Sequence, residues 1–302
     1  MIELNQVSKR FGTRARPTHA LRDVSVRIEP ATITAFVGPN GAGKSTLFAL
    51  ILGFLRPTSG SVRIDSEHPR DYVRGSGATY VPDRIALPLD WRVHDTLIAF
   101  ARLDGLGTRA RAAASDALER FGLRDHASAR IDTLSRGLMQ RVQLAQALLT
   151  ERAVVVLDEP AEGLDPLWRI RLRAELGALR ARGAAVLLAS HDLAEVERTA
   201  DRTVLLDRGR VVEVLEPTPA GSAGTWRLEL AAPSSAVTDL FPGAAIVVEG
   251  RPVYRVEAAD AAELSARLAA LLATGATLHA VQPETPHRLE DRVRRVLGPD
   301  DT

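Results

Sequence analysis

Nine residues, Gly38 to Thr46 (GPNGAGKST), constrain the fold of this chain more than any other stretch. Gly38, Gly43, Lys44 and Ser45 satisfy the pattern G-x-x-x-x-G-K-[ST], which makes physical sense only between a buried strand and the start of a helix. The flanks supply both. Thr32 to Val37 (TITAFV) is a β-branched and apolar run, and Leu47, Leu50, Ile51 and Phe54 recur at helical spacing behind the loop. Glycines there let backbone N–H groups wrap a chain of phosphates, and the helix start adds its partial positive charge. Lys44 is expected to reach the β and γ phosphates, and the Ser45 hydroxyl to ligate Mg²⁺. Pro39, Asn40, Gly41, Ala42 and Thr46 complete the cradle. Lys9 and Lys44 are the only lysines in an arginine-rich chain, so a lysine at this position points to a need for a compact ammonium.

At 302 residues the chain can form one large domain or two unequal ones, and 45% apolar content is enough for a core. A net charge of +1 argues against a dedicated nucleic-acid or polybasic membrane surface. The absence of cysteine excludes disulfides and thiolate metal sites. Met1 leads straight into the alternating run IELNQVSKRF without the features of a signal peptide, and no stretch approaches the roughly eighteen consecutive apolar residues of a membrane span. The chain is therefore expected to be cytoplasmic, with any membrane-spanning part supplied by another polypeptide.

Residues 1–30 read as short strands around the loop GTRARPTHA, with Val24, Val26 and Ile28 alternating before Pro30. Phe11 lies in polar surroundings there and could stack on an adenine face, ordinary core packing being the alternative. Two more strand-like runs, SVRID and ATYV, precede Pro82. From about 84 to 145 the pattern is helical, Trp91 to Leu103 and Arg109 to Phe121 carrying apolar residues three and four apart, which reads as a helical insertion in an α/β core. Leu134 to Leu149 continues it, with Ser135 as N-cap and Gly137 in the first turn, a second possible anion site. AVVVLDEP, residues 153–160, predicts a buried parallel strand ending in Asp158 and Glu159, at the carboxyl end where open α/β sheets place ligands. The helical run Leu167 to Arg182, the strand Ala184 to Ala189 and then Ser190, His191 and Asp192 follow, and a hairpin around Asp207-Arg208-Gly209 closes the core. Residues 216–225 (EPTPAGSAGT) read as a linker, and 226–302 as a small α+β domain with helices at Asp260 to Ala273 and His287 to Leu297.

In this order the motifs resemble the nucleotide-binding subunit of the ATP-binding cassette (ABC) transporter family over residues 1 to about 215. The phosphate loop GPNGAGKST, the signature-like LSRGLMQR at 134–141, the strand VVVLDEP, the turn EGLD at 162–165 and Ser190-His191 carry the likeness. It implies an α/β P-loop NTPase core with an antiparallel β subdomain and a helical insertion, followed by the small C-terminal domain. It also implies an ATP- and Mg²⁺-dependent ATPase working as a head-to-tail dimer, either a homodimer or a heterodimer with a related ATPase, beneath a membrane-spanning subunit on a separate chain. On this resemblance Glu159 is the general base, His191 contacts the γ-phosphate, and Ser45, Asp158 and Asp83 serve the metal. Phe11 stacks on adenine, Ser135 and Gly137 act on the partner copy's nucleotide, and Asp165 crosses the interface.

Two departures from the family pattern stand out. Asp83, in YVPDR, occupies the place of the usual glutamine, and Arg136 and Leu138 interrupt the usual LSGGQ signature. Leu289, Glu290 and Asp291 resemble a motif at the end of drug- and antibiotic-type exporter subunits, so export at the cytoplasmic face of the membrane is the expected role. An importer ATPase is the alternative. A soluble ABC ATPase acting on ribosomes or DNA is the weaker third, since the chain has one cassette, a short insertion and a near-neutral charge.

Overall fold

A computed structural model describes residues 1–13, 16–216, 224–248, 252–259, 261–284 and 289–297. The chain divides into two compact units, one of Met1–Glu216 with the residues from Val293 on, the other of Pro217–Arg292. The first runs β1 (Ile2–Thr13), β2 (Arg16–Ile28), β3 (Thr32–Val37), α1 (Lys44–Ile51), β4 (Ser59–Ile64), α2 (Pro69–Gly75), β5 (Thr79–Val81), α3 (Val93–Leu103), α4 (Ala110–Arg120), α5 (Arg136–Ala147), β6 (Val154–Asp158), α6 (Pro166–Ala181), β7 (Ala185–Ala189), α7 (Leu193–Thr199), β8 (Arg202–Asp207) and β9 (Arg210–Leu215).

A six-stranded sheet, ordered β5-β6-β7-β3-β8-β9, is parallel except for the β8–β9 hairpin. The inner strands β6, β7, β3 and β8 are buried on both faces, which is why they read as continuous apolar runs rather than alternating ones, whereas β9 at the edge is exposed or half-buried along its length. Val155, Leu157 and Val186 face a core shared with α3, α4, α5 and α6. Val154, Val156 and Leu187 face a second core shared with α1 and the antiparallel sheet β2-β1-β4. There Phe48 of α1 meets Phe36 of β3 edge to face, with ring centres 5.6 Å apart, and anchors the helix that follows the phosphate loop. Such a pair contributes about 1 kcal/mol beyond its buried area.

The first two strands are long, not short. They pair from Ile2↔Ile28 to Thr13↔Arg16 through several bulges, so that the expected loop becomes the tip of a hairpin. Helix α3 begins at Val93 rather than Trp91, and α2, which the sequence reading left out, fills the stretch between its two strand-like runs.

The second unit runs β10 (Gly224–Leu230), α8 (Ala236–Leu240), β11 (Ala245–Ile246), β12 (Val253–Ala258), α9 (Ala261–Ala273) and β13 (Leu278–Glu284); α10 (Leu289–Leu297) is the last described element, and the division between the units falls within it. Its antiparallel sheet has the order β11-β12-β10-β13. That order and the succession β-α-β-β-α-β are the split βαβ arrangement of ferredoxin-like domains. Leu228, Phe241, Val256, Leu264 and Leu271 form its core. Most of the linker expected at 216–225 lies outside the described residues, as do the side chains of Glu290 and Asp291 on α10. Among the described residues no helix is long and apolar enough to cross a membrane.

Candidate nucleotide site

The chain leaves β3 at Val37 and re-enters regular structure at Lys44, the first residue of α1. Gly43 caps that helix at φ 108°, with no side chain satisfying the first N–H groups. A Cβ on Gly43 would stand 2.6 Å from the Ala20 carbonyl oxygen of β2, so both the backbone angle and the close approach require glycine. The result is a helix start whose N–H groups and partial positive charge face an open cavity of about 560 Å³. Asn40 to Thr46 form one wall of it, with Phe11, Asp83, Asp158, Glu159 and His191 also in its lining.

Lys44 donates from Nζ to the Gly38 and Pro39 carbonyl oxygens, which tethers the ammonium inside its own loop. Burial lowers its pKa, while the charges of Glu159 and Asp158 act to hold the proton on. The Ser45 hydroxyl donates to Asp158 Oδ2 at 3.0 Å, joining the helix start to the end of β6. Burial pushes the Asp158 carboxyl up and the neighbouring Asp83 adds to this, while the Ser45 hydrogen bond and Lys44 oppose it. A hard cation would relieve that cost. Ser45, Asp158 and Asp83 offer oxygen ligands only, the donor set for Mg²⁺, which commonly completes its shell with water and phosphate oxygens. Among the described residues no group of three or more His, Cys, Asp or Glu side chains could hold a metal ion.

Glu159 settles how two consecutive acids share one site. Its N–H still donates to the Ala189 carbonyl at 2.9 Å, extending the β6–β7 ladder, but its φ is 51°. A left-handed glutamate is strained by about 1–3 kcal/mol, and such strain concentrates at functional sites. Here it breaks the strand's alternation, so that Asp158 and Glu159 both line the cavity. Glu159 Oε2 lies 2.9 Å from His191 Nδ1. Burial pushes the Glu159 carboxyl above the ordinary range, and the contact with His191 opposes the rise. The same contact raises the His191 pKa.

Phe11 is 41% exposed, which removes the core alternative, and Lys9 Nζ stands 5.2 Å from its ring centre. Ser135, Gly137 and Asp165 are not in the cavity lining. Ser135 caps α5, its hydroxyl accepting from Leu138 N–H at 3.3 Å, and Asp165 caps α6 by accepting from Trp168 N–H at 3.0 Å.

Sequence reasoning missed four lining residues: Thr18, His19, Ala20 and Glu162. The first three arrive through the β1–β2 pairing, which puts Thr18 opposite Phe11 and leaves no local signal. Glu162 stands in the quoted EGLD turn and was legible only as an unassigned acid. It also missed two buried glutamines on α5. Gln143 accepts from Ala86 N–H at 2.7 Å and donates to the Pro82 carbonyl at 2.9 Å, pinning the loop that carries Asp83. Gln140 donates to the Pro160 carbonyl just after Glu159.

A family model described as ABC transporter matches residues 21–162. The Nod factor export ATP-binding protein I of Burkholderia pseudomallei (strain 1710b) is 35% identical over 214 residues, covering 70% of this chain and 69% of the relative. The manganese transport system ATP-binding protein MntA of Synechocystis is 36% identical over 198 residues, 63% of this chain and 75% of the relative. A solved ATP-binding subunit of an ABC transporter superposes with a TM-score of 0.64 at 30% identity, over 72% of this chain and 90% of that one.

Proposed function

The chain belongs to the ABC transporter family, as an ATP-binding and ATP-hydrolysing subunit, and from that premise we propose that it powers export through a membrane-spanning subunit on a separate chain. The observation that carries the catalytic part is the convergence of Lys44, Ser45, Asp158, Glu159 and His191 on one cavity. Lys44 and the α1 N–H groups bind the β and γ phosphates, and Phe11 stacks on the base. Ser45, Asp158 and Asp83 hold Mg²⁺, which neutralises phosphate charge when bound. Glu159 accepts the proton of the attacking water, and His191 orients that carboxylate and contacts the γ-phosphate. Ser135, Gly137 and Asp165 complete the site of a second copy in a head-to-tail dimer, at the cytoplasmic face of the membrane. Their absence from this chain's own cavity supports that placement.

Export rests on the name of the Nod factor relative; the second reading is an importer ATPase, since the manganese relative's name gives transport without a direction. Capture of the chain from detergent-solubilised membranes should bring a membrane-spanning protein with it. In inverted vesicles containing both, ATP added outside should drive solute inward. Movement in the opposite sense would establish the importer, and capture of no membrane protein would overturn both.

The pH dependence tests the Glu159–His191 pair. Glu159 must be ionised to take a proton, and burial pushes its carboxyl up, so the acid limb of kcat is expected above the ordinary carboxylate range. His191→Ala removes the contact that opposes this rise, so the limb should move to still higher pH. A limb that stays in place would uncouple the two residues.

Residues 226–302 contribute none of the proposed site residues. Truncation after Gly221 is expected to leave nucleotide affinity unchanged and to lower dimerisation or transport with the membrane subunit. Loss of ATP binding in a calorimetric titration would make the tail part of the cassette.

A further inference from the structure

The start of α5 is fastened at three points to the turn behind Glu159. Gln140, 3% exposed, donates to the Pro160 carbonyl at 3.0 Å. Gly137 lies so close to the turn that a Cβ would stand 2.6 Å from the Gly163 carbonyl oxygen, an approach open only to glycine. Arg136 Nη2 reaches Glu162 Oε1 at 2.6 Å. The first two contacts fix a distance whatever the charges nearby. The third is an ion pair, and it belongs to Arg136, one of the two residues that depart from the family's signature.

Glu162 brings a further negative charge to the rim of a cavity that already holds Asp83, Asp158 and Glu159 and must receive a triphosphate. Its charge also reaches His191, whose pKa it helps to raise. Unneutralised, it would repel the incoming phosphates. Arg136 answers that charge from the neighbouring element. It also ties the helix carrying Ser135 to the segment running from Glu159 to Asp165. The Arg136 side chain is 65% exposed and that of Glu162 33%, so the pair is open to screening by salt.

We propose that Arg136 is a positioning residue for hydrolysis: its ion pair with Glu162 holds the start of the signature helix against the catalytic turn and masks the Glu162 charge from the nucleotide. The inference rests on the proposed ATPase site. In the head-to-tail dimer it ties the helix that serves one nucleotide to the glutamate that serves the other.

Steady-state hydrolysis by the full chain, with Mg²⁺ and varied ATP, tests it in wild type, Arg136→Gln, Glu162→Gln, the double Gln variant and the charge swap Arg136→Glu/Glu162→Arg. Arg136→Gln should lower kcat about fivefold, the size of one exposed or half-exposed ion pair, and raise KM, because Glu162 is left bare. Glu162→Gln should lower kcat similarly with KM unchanged, and the double variant should be no worse than Glu162→Gln alone. The swap should recover at least half the lost kcat. Raising salt from about 0.05 to 0.5 M should bring the wild-type kcat down towards the variants while leaving theirs nearly flat. A merely structural contact would move neither KM nor the salt dependence in this pattern, and thermal melts identify any variant that fails to fold.

Effects of the two Gln substitutions that multiply in the double variant would overturn the proposal, as would a wild type and Arg136→Gln with equal kcat and KM. A wild type that binds but does not hydrolyse ATP would overturn the ATPase reading, and this inference with it. Normal wild-type turnover with indifferent variants would overturn this inference alone.

Discussion

Glu159→Gln is expected to bind ATP with Mg²⁺ at least as tightly as the wild type and to turn over about 10²- to 10⁴-fold more slowly, the usual weight of a general base. The amide keeps the shape of the side chain and can still hold a water, but it cannot accept a proton. The wild-type carboxylate is desolvated, its charge opposed by Asp158 and relieved by His191 and Lys44. Removing that charge therefore costs the folded state little and lessens the repulsion felt by a triphosphate. With hydrolysis blocked, the ATP-bound dimer should accumulate. Single-turnover kinetics with size-exclusion chromatography check both halves. Retention of more than about a tenth of wild-type turnover would move the base to another residue.

Lys44→Ala has the second large effect, and it falls on binding. The ammonium makes two charge-assisted contacts in the proposed complex, each worth about 1.5–3 kcal/mol. Their loss predicts an affinity lower by roughly 10²- to 10⁴-fold. The electrostatics push the same way, because Asp158 and Glu159 lose the cation that faces them and the cavity turns repulsive to phosphate. Lys44→Arg should not rescue it, since a planar guanidinium lacks the compact geometry of the ammonium. Isothermal titration with Mg²⁺ and ATP measures this directly, and an unchanged affinity would sink the assignment of the cradle.

Much of the site was legible because its chemistry is local in the chain. The phosphate loop needs glycine, lysine and a hydroxyl at set spacings between a strand and a helix, and every one of those residues lies within nine positions. Asp158 and Glu159 were legible for a related reason, since a strand buried on both faces shows itself as an apolar run, and its carboxyl end marks where a ligand sits. The Phe11 side of the cavity was less so. Phe11 stood out as an aromatic in polar surroundings, but the hairpin partners Thr18 to Ala20 came into view only with the pairing register.

The sequence by itself determined the phosphate loop, the acidic strand end, the succession of the main strands and helices around them, and the family. These are carried by residue type and short spacings. Tertiary structure decided which groups meet. The left-handed backbone at Glu159 brings two adjacent acids to one cavity, and the 2.9 Å approach of His191 gives that glutamate its partner. Gln143 reaches back to the Asp83 loop, Arg136 reaches Glu162, and the tail folds into a split βαβ sheet. Each of these depends on contacts between residues far apart in the chain, set by how helices dock on a sheet, and no local pattern of residues encodes a register or a docking distance.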